Sequence, residues 1–303
     1  MKSKTLSDIY FKIGVEITSS NNNVYRILRF INMGKNGAVF LVKCTKGEFT
    51  GSCYALKIQY NILEKRLKRF QRELEFLKRQ NSQLFISWYD DGIIEFNEHS
   101  YPFIVLPYFP FNLEEYVSSA EIHYEKKIAF ACQLLMMLSY LNKENVVHRD
   151  IKPQNILTDG EIIVLADFGL LKQISDDSVS NDRIDILNAS ASMPRHYRTP
   201  ELVAYANGKT SQFYVESDCF QMGLVLSWLF TGENPLKSTE DKLSDIELNP
   251  MPLINKPFGC LIRNTILSML EYDYHKRITP AEALQEFLYV HEYVCKLIRK
   301  HGA

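Results

Sequence analysis

The sequence predicts an α+β fold with two lobes, a small β-rich N-terminal lobe that contains one helix and a larger, mainly α-helical C-terminal lobe. Its 303 residues exceed the roughly 250–300 at which a single hydrophobic core stops growing. β-Branched and aromatic residues broken by glycines fill residues 24–60, whereas helical periodicities dominate later in the chain. Pro107, Pro110 and Asn112 interrupt both patterns, so the boundary between the lobes is expected there.

The N-terminal lobe is predicted over residues 24–106, after an extension at 1–23. Residues 24–60 predict three successive antiparallel strands joined by tight turns. Leucine and phenylalanine recur at spacings of three and four across 61–79, which predicts one amphipathic helix. Two further short strands are predicted, at 85–89 and 103–106.

The C-terminal lobe is predicted over residues 113–303, beyond a hinge at 107–112. Apolar periodicity predicts helices at 124–142, 223–230, 261–270 and 280–299. The second of these is apolar all round and is expected to be buried. Residues 175–192 are polar, rich in serine and aspartate, and long enough to form a functional loop.

The composition excludes some classes of protein. Thirty-five basic and thirty-six acidic residues leave a net charge of -1, so no overall field favours nucleic acid or an anionic membrane. No apolar run has the length of a signal peptide or a membrane span. The six cysteines contain no CxxC pair, which favours a reducing compartment, and a cytoplasmic protein is expected.

Two motifs in the predicted N-terminal lobe suggest phosphate binding. Gly34 and Gly37 lie between two predicted strands, where glycine lets backbone N–H groups approach phosphates. An ordinary hairpin turn is the alternative. Lys57, on the next strand, is expected to pair with Glu73 of the predicted helix and so hold its ammonium against phosphates. The alternative is an exposed helix with Glu73 in a surface ion pair.

A third motif spans Val146–Leu157 and is followed by Asp167. A short apolar strand delivers Asp150 to a loop, where its carboxylate can orient a hydroxyl and take its proton. Lys152 can neutralise charge on a phosphoryl group. Asn155 and Asp167 are hard oxygen ligands at neighbouring strand ends, as Mg²⁺ prefers. Loops with acidic turn residues are the alternative interpretation.

In this order, over residues 24–290, the motifs resemble the eukaryotic-type serine/threonine protein kinase family. The resemblance implies the bilobal protein-kinase-like fold, ATP and Mg²⁺ as cofactors, and transfer of the γ-phosphoryl group to protein substrates. The DIKPQN sequence around Lys152 favours serine or threonine over tyrosine as the acceptor.

The resemblance also implies a role for individual residues. The catalytic set would be Asp150, Lys152, Lys57 and Glu73, and the metal ligands would be Asn155 and Asp167. Leu106 would be the gatekeeper beside the adenine base, and the backbone of Pro107 to Phe109 would hydrogen-bond that base. The remaining nucleotide-contacting residues would be Ile31, Asn32, Gly34, Gly37, Val39, Ala55 and Leu157.

Further residues are given supporting roles by the same resemblance. Glu201 would form a buried ion pair with Arg277, and Asp218 would brace the backbone of the catalytic loop. Arg149 and Lys172 would clasp a phosphate on the activation segment, with Ser190 as the residue that receives it. A solvated loop serine without a regulatory role is the alternative for Ser190.

The sequence departs from the family pattern at three positions. Asn32 replaces the first glycine of the phosphate loop, where asparagine tolerates positive φ better than most residues. Pro107 replaces an acidic hinge residue, and Pro194 replaces a threonine whose part Ser192 could take. A pseudokinase scaffold, or a nucleotide-binding interaction module without transfer activity, is therefore the alternative function. A small-molecule phosphotransferase is a third hypothesis.

Overall fold

The computed structural model describes residues 12–34, 36–80, 82–96, 98–174, 196–210, 214–241 and 243–301. The chain divides into two compact units between Pro110 and Phe111. This division falls within residues 107–112, the segment proposed from the sequence as a hinge. The serine-rich stretch 175–192, with Ser190 and Ser192, lies outside the described residues, as does Pro194.

The N-terminal unit is built on one antiparallel sheet of six strands with the spatial order β1-β2-β3-β4-β6-β5. The strands are β1 (Glu16–Thr18), β2 (Val24–Met33), β3 (Gly37–Lys46), β4 (Cys53–Gln59), β5 (Asp90–Phe96) and β6 (His99–Pro107). The three strands predicted in residues 24–60 are confirmed as β2, β3 and β4. The three-residue strand β1 was not predicted, because it is too short to show alternation.

The strand predicted at 85–89 is wrong, because the strand in this region begins at Asp90. Phe85 and Ile86 are buried, and the Phe85 ring packs edge-on against Phe76 at 5.9 Å between centroids. The apolar character of Phe85 therefore reflects packing on the helix α1 (Glu64–Arg79) rather than membership of a strand. The predicted helix at 61–79 is confirmed as α1.

Asp90 is buried at the start of β5 and is held by a polar network that the sequence did not predict. Its carboxylate accepts hydrogen bonds from the side chains of Asn21 (2.9 Å), Asn23 (2.7 Å) and Tyr25 (2.8 Å). Burial alone would raise the pKa of Asp90, but hydrogen bonds from Ser19, Asn23, Tyr25 and the Asp91 backbone hold it below its ordinary value. The network fixes β2 to β5, which are not neighbours in the sheet.

The C-terminal unit is mainly helical, and the four predicted helices are confirmed as α3, α5, α6 and α7. The helices are α2 (Leu113–Ser119), α3 (Tyr124–Lys143), α4 (Pro200–Ala206), α5 (Glu216–Thr231), α6 (Gly259–Met269) and α7 (Pro280–His301). Helix α5 is buried along most of its length, as expected. A Cβ on Gly223 would lie 2.9 Å from the Leu270 side chain, so glycine allows the close packing of α5 on its neighbour. No described helix is long and apolar enough to span a bilayer.

Short strands in the C-terminal unit position the loops between the helices. They are β7 (Phe111–Asn112), β8 (Val146–Val147), β9 (Ile156–Thr158), β10 (Ile163–Leu165) and β11 (Lys172–Gln173). Strand β9 pairs with β7 and β10, and β8 pairs with β11, all antiparallel. The ends of these strands deliver Asp150, Asn155 and Asp167 to their loops.

Candidate active site

One face of the N-terminal sheet carries three of the predicted nucleotide-contacting residues. Val39 on β3 lies opposite Lys57 on β4, and Ala55 lies opposite Leu106 on β6. Side chains alternate along a strand, and Leu56 and Ile58 point into the core of the unit. Val39, Ala55 and Lys57 therefore share the other face.

Lys57 and Glu73 form the predicted ion pair. The ammonium of Lys57 donates to both carboxylate oxygens of Glu73, at 2.7 and 2.9 Å. The Glu73 side chain is only 4% exposed and that of Lys57 is 24% exposed. The interpretation of Glu73 as part of a surface pair is therefore wrong. Because α1 holds the buried carboxylate, the ammonium of Lys57 is oriented while its side chain remains partly exposed.

The turn between β2 and β3 contains the predicted phosphate-loop residues. Gly34 N–H donates to the Gly37 carbonyl at 2.8 Å, closing the turn. A Cβ on Gly37 would lie 2.2 Å from the Ile58 carbonyl oxygen, so this glycine is required by the packing of β3 on β4. Asn32 lies within β2 and is not among the residues at positive φ, so its tolerance for that conformation is not used. Its Oδ1 accepts the Met33 N–H at 2.7 Å.

The remaining nucleotide-contacting candidates of this unit lie at strand irregularities and ends. Ile31 lies at a register shift of the β2–β3 ladder, between Phe30 and Asn32. Pro107 is the last residue of β6. Phe109, two residues further along the chain, is half-buried. In the C-terminal unit, Leu157 is half-buried on β9.

The catalytic-loop candidates of the C-terminal unit are hydrogen-bonded to one another. Lys152 Nζ donates to the two carboxylate oxygens of Asp150 at 2.9 and 2.7 Å. Asn155 Nδ2 donates to the backbone carbonyl and to Oδ2 of Asp150, both at 2.8 Å. The fold therefore brings together three of the residues that the sequence singled out, with Asp150 at the centre.

Asp167 lies at the same strand end as Asn155. The pairing of β9 with β10 sets Ile156 opposite Leu165, and the next residue, Ala166, donates its N–H to the Asn155 carbonyl at 2.9 Å. Asp167 itself has φ 63° and ψ 69°, a left-handed conformation that is costly for most side chains. Strain of this kind is concentrated at functional sites.

His148 connects the loop of Asp150 to that of Asp167. Its Nε2 lies 3.2 Å from the Ala166 carbonyl, which can only accept, so Nε2 carries the proton. Its Nδ1 then accepts the Asp150 N–H at 3.3 Å. Burial lowers the pKa of His148 to about 4, in agreement with a neutral ring.

Helix α5 supports the catalytic loop from beneath. Asp218 accepts the N–H groups of His148 and Arg149, so the predicted brace is confirmed. Burial raises the pKa of Asp218 to about 7.

Gln221 was missed by the sequence analysis. Its side chain accepts the Ile151 N–H at 2.9 Å and donates to the Tyr197 carbonyl at 2.8 Å. The sequence feature that could have identified Gln221 is its position as a polar residue in a largely apolar stretch, three positions after Asp218.

The electrostatics of this unit favour a carboxylate that can take up a proton. Burial raises the pKa of Asp150 above its ordinary value, and the negative charge of Asp167 adds to this effect. Lys152 and Asn155 oppose the shift by stabilising the carboxylate form. Asp150 is therefore a buried carboxylate whose proton affinity is raised by burial and by Asp167, and lowered in part by Lys152 and Asn155.

Asn155 and Asp167 have the donor chemistry that fits a magnesium ion. The amide nitrogen of Asn155 donates to Asp150, so its amide oxygen is the atom with the chemistry to coordinate a metal. A carboxylate and an amide oxygen are hard donors, and Mg²⁺ keeps several waters and uses few protein ligands. Within the described ranges no group of three or more His, Cys, Asp or Glu could hold a metal, so a ligand-rich metal cage is not formed by these residues.

The segments around this loop hold the other predicted pairs. Glu201, on α4, lies 2.7 Å from Arg277, and the two side chains are 6% and 0% exposed, so the predicted buried ion pair is confirmed. Arg149 and Lys172 are both largely buried, on or beside the paired strands β8 and β11. The Arg149 side chain donates to the Leu170 carbonyl. Their proposed phosphate partner, Ser190, lies outside the described residues.

Similarity to known proteins agrees with this arrangement. Residues 25–289 match the family model described as the protein kinase domain. The chain is 27% identical over 263 residues to the serine/threonine-protein kinase PKH2 of Saccharomyces cerevisiae, covering 80% of this chain and 23% of that protein. It is 29% identical over 292 residues to cds1 of Schizosaccharomyces pombe, covering 88% and 58%.

A bacterial protein shows the same similarity. The serine/threonine-protein kinase PrkC of Bacillus subtilis is 28% identical over 215 residues, which cover 70% of this chain and 31% of that protein. The chain thus spans less than two thirds of the length of each of these relatives. The family match itself extends through both units, from β2 into α7. This chain belongs to the protein kinase family.

Proposed function

We propose that the chain transfers the γ-phosphoryl group of Mg·ATP to serine or threonine hydroxyls of protein substrates. The observation that supports this most is the hydrogen-bonded set of Asp150, Lys152 and Asn155, with Asp167 at the adjoining strand end. The Lys57–Glu73 ion pair of the N-terminal unit is the second observation that supports it. The serine/threonine kinases that the chain resembles favour the same acceptor class.

In the proposed reaction, Asp150 orients the acceptor hydroxyl and takes its proton. The acceptor oxygen forms a bond to the γ-phosphorus, the bond from that phosphorus to the β,γ-bridging oxygen breaks, and ADP leaves. Lys152 neutralises charge on the transferred group, and Lys57, oriented by Glu73, binds the α- and β-phosphates. Magnesium, held by Asn155 and Asp167, supplies charge neutralisation on the phosphates when bound.

The nucleotide base has a proposed site in the N-terminal unit. Val39 and Ala55, on the sheet face that carries Lys57, contact the adenine together with Ile31 and Leu157. Leu106 limits the depth of that pocket, and the backbone of residues 107–109 hydrogen-bonds the base. The six cysteines are free thiols, in keeping with the proposed cytoplasmic location.

Incubation with labelled Mg·ATP and a generic basic protein tests the function. We expect label on the added protein or on the chain itself with wild type, and none above background with Asp167→Ala. Phosphoamino-acid analysis of the product should give phosphoserine or phosphothreonine. If wild type binds nucleotide but transfers no label, the pseudokinase alternative is supported. Label on small molecules alone would favour a small-molecule phosphotransferase.

The pH dependence of transfer should report the raised pKa of Asp150. A general base must be deprotonated, so kcat/KM should fall as pH drops through that pKa, above the ordinary range of an aspartate. Lys152→Met removes the positive charge that favours the carboxylate, so this acid limb should move to higher pH, together with a lower maximal rate. A pH–rate profile measures both effects.

Lys126→Met is the matched control for the pH experiment. Lys126 also pairs with a carboxylate of the C-terminal unit, that of Glu161 at 3.1 Å, but this carboxylate is exposed. Its loss should leave the acid limb in place. An acid limb that stays at the wild-type pH in Lys152→Met would contradict the role of Asp150 as the base.

A further inference from the structure

Two tyrosine hydroxyls form hydrogen bonds with β2 and with the turn that follows it, in addition to the pairing of β2 with β1 and β3. Tyr60, just beyond β4, donates its hydroxyl hydrogen to the Gly34 carbonyl. Tyr108, just beyond β6, accepts a hydrogen bond of 2.6 Å from Arg29 Nη2. Ile31 and Asn32 lie between these two attachment points.

The Tyr60 contact fixes the turn at the end of β2. A carbonyl oxygen only accepts, so the bond requires the tyrosine O–H as donor. The backbone N–H groups of Tyr60 and Asn61 both donate to the Asn36 carbonyl, at 3.1 and 3.0 Å, on the far side of the same turn. Partial burial raises the pKa of Tyr60, so the hydroxyl stays protonated. One short segment after β4 thus holds both sides of the turn.

The Arg29 contact fixes the other end of the same stretch. The β2–β3 ladder shifts register between Ile27 and Arg29 and again between Phe30 and Asn32. Such bulges re-aim side chains and are frequent beside active sites. Besides donating to the Tyr108 hydroxyl, the guanidinium of Arg29 lies over the Tyr108 ring, 5.7 Å from its centroid. Arg29 is exposed, Tyr108 is half-buried, and the hydrogen bond between them lies at the surface, so packing alone does not impose the contact.

We infer that Tyr60 and Tyr108 are positioning residues that hold β2 in its nucleotide-binding conformation before the nucleotide arrives. The inference rests on the proposed function, in which Ile31 and the following turn contact ATP. With either hydroxyl removed, β2 samples further conformations and only a fraction remains competent. The apparent Kd rises by the inverse of that fraction. Saturating nucleotide restores the arrangement, so KM rises while kcat is kept.

Tyr60→Phe and Tyr108→Phe each delete one hydroxyl and keep the ring. A hydrogen bond of this kind has a modest net value, so each change should weaken Mg·ADP binding by about three- to ten-fold. Arg29→Met tests the Tyr108 contact from the other side and should give a similar loss. The double variant Tyr60→Phe/Tyr108→Phe should bind more weakly than either single variant.

The matched control is Tyr124→Phe in the C-terminal unit. Tyr124 also donates its hydroxyl to a backbone carbonyl, that of Pro257 at 2.7 Å, but has no role in the proposed nucleotide site. It should retain the wild-type Kd for Mg·ADP. The melting temperature of each variant without nucleotide shows whether it is folded and by how much it is destabilised.

Calorimetric titration with Mg·ADP distinguishes the outcomes, because it needs no transfer activity. Weaker binding by the Tyr60, Tyr108 and Arg29 variants, with unchanged kcat, supports the inference. Lower melting temperatures with a wild-type Kd would show a purely structural role and overturn it. If wild type itself binds no Mg·ADP, the proposed function fails and the inference fails with it.

Discussion

Asp150→Asn should lower kcat for protein phosphorylation by about 10²–10⁴-fold, the usual contribution of a positioned general base. Asparagine keeps an oxygen that can accept from Lys152 or Asn155, so the loop should keep its hydrogen-bonded form. The proton of the acceptor hydroxyl then has no carboxylate to receive it. Initial rates at saturating ATP, together with the Kd for Mg·ADP, separate a loss of chemistry from a loss of binding.

Asp159→Asn is the matched control for this experiment. Asp159 is a carboxylate of the same unit that accepts the N–H groups of Glu161 and Ile162 in the β9–β10 turn, at 2.9 and 3.0 Å. Its replacement should leave kcat near the wild-type value. A rate for Asp150→Asn within a few-fold of wild type would remove Asp150 from the proposed mechanism.

Arg277→Met should lower the free energy of unfolding by about 3–5 kcal/mol, because it leaves the buried Glu201 carboxylate without its cation. The Arg277 guanidinium also donates to the carbonyls of Glu271 and Glu216, and those bonds are lost with it. Denaturant unfolding followed by circular dichroism measures the change.

Two further variants serve as comparisons for the Arg277 experiment. Lys237→Met breaks an exposed ion pair with Glu247, whose 2.8 Å distance is similar to that of the Glu201–Arg277 pair. This change should lower the free energy of unfolding by only about 0–1 kcal/mol. The double variant Glu201→Leu/Arg277→Met removes both buried charges and should recover part of the lost stability. If the Arg277 and Lys237 variants lose the same free energy of unfolding, burial does not make the Glu201–Arg277 pair more important for stability than an exposed pair.

Local sequence patterns were sufficient for much of the fold. The strands β2 to β4 and the helix α1 follow from alternation and from spacings of three and four. The strand β5 was misplaced because Phe85 is apolar for a different reason, its packing on α1. Periodicity reports that a side chain is buried, but it does not say against which element.

The candidate site shows the same limit. Lys57, Glu73, Asp150 and Asn155 were found because their order along the chain is itself informative, and their predicted pairings follow from that order. Gln221 and the hydroxyls of Tyr60 and Tyr108 were missed. Each of these side chains contacts backbone or a residue far away in the sequence, so no local spacing predicts the contact.

The proposed function requires that Lys57, Asn155 and Asp167 bind the same Mg·ATP. A crystal structure with magnesium and a non-hydrolysable ATP analogue tests this most directly. We expect Lys57 Nζ at the α- and β-phosphates, and oxygens of Asn155 and Asp167 on the metal. A triphosphate bound away from Lys57, or away from Asn155 and Asp167, would contradict the proposed function.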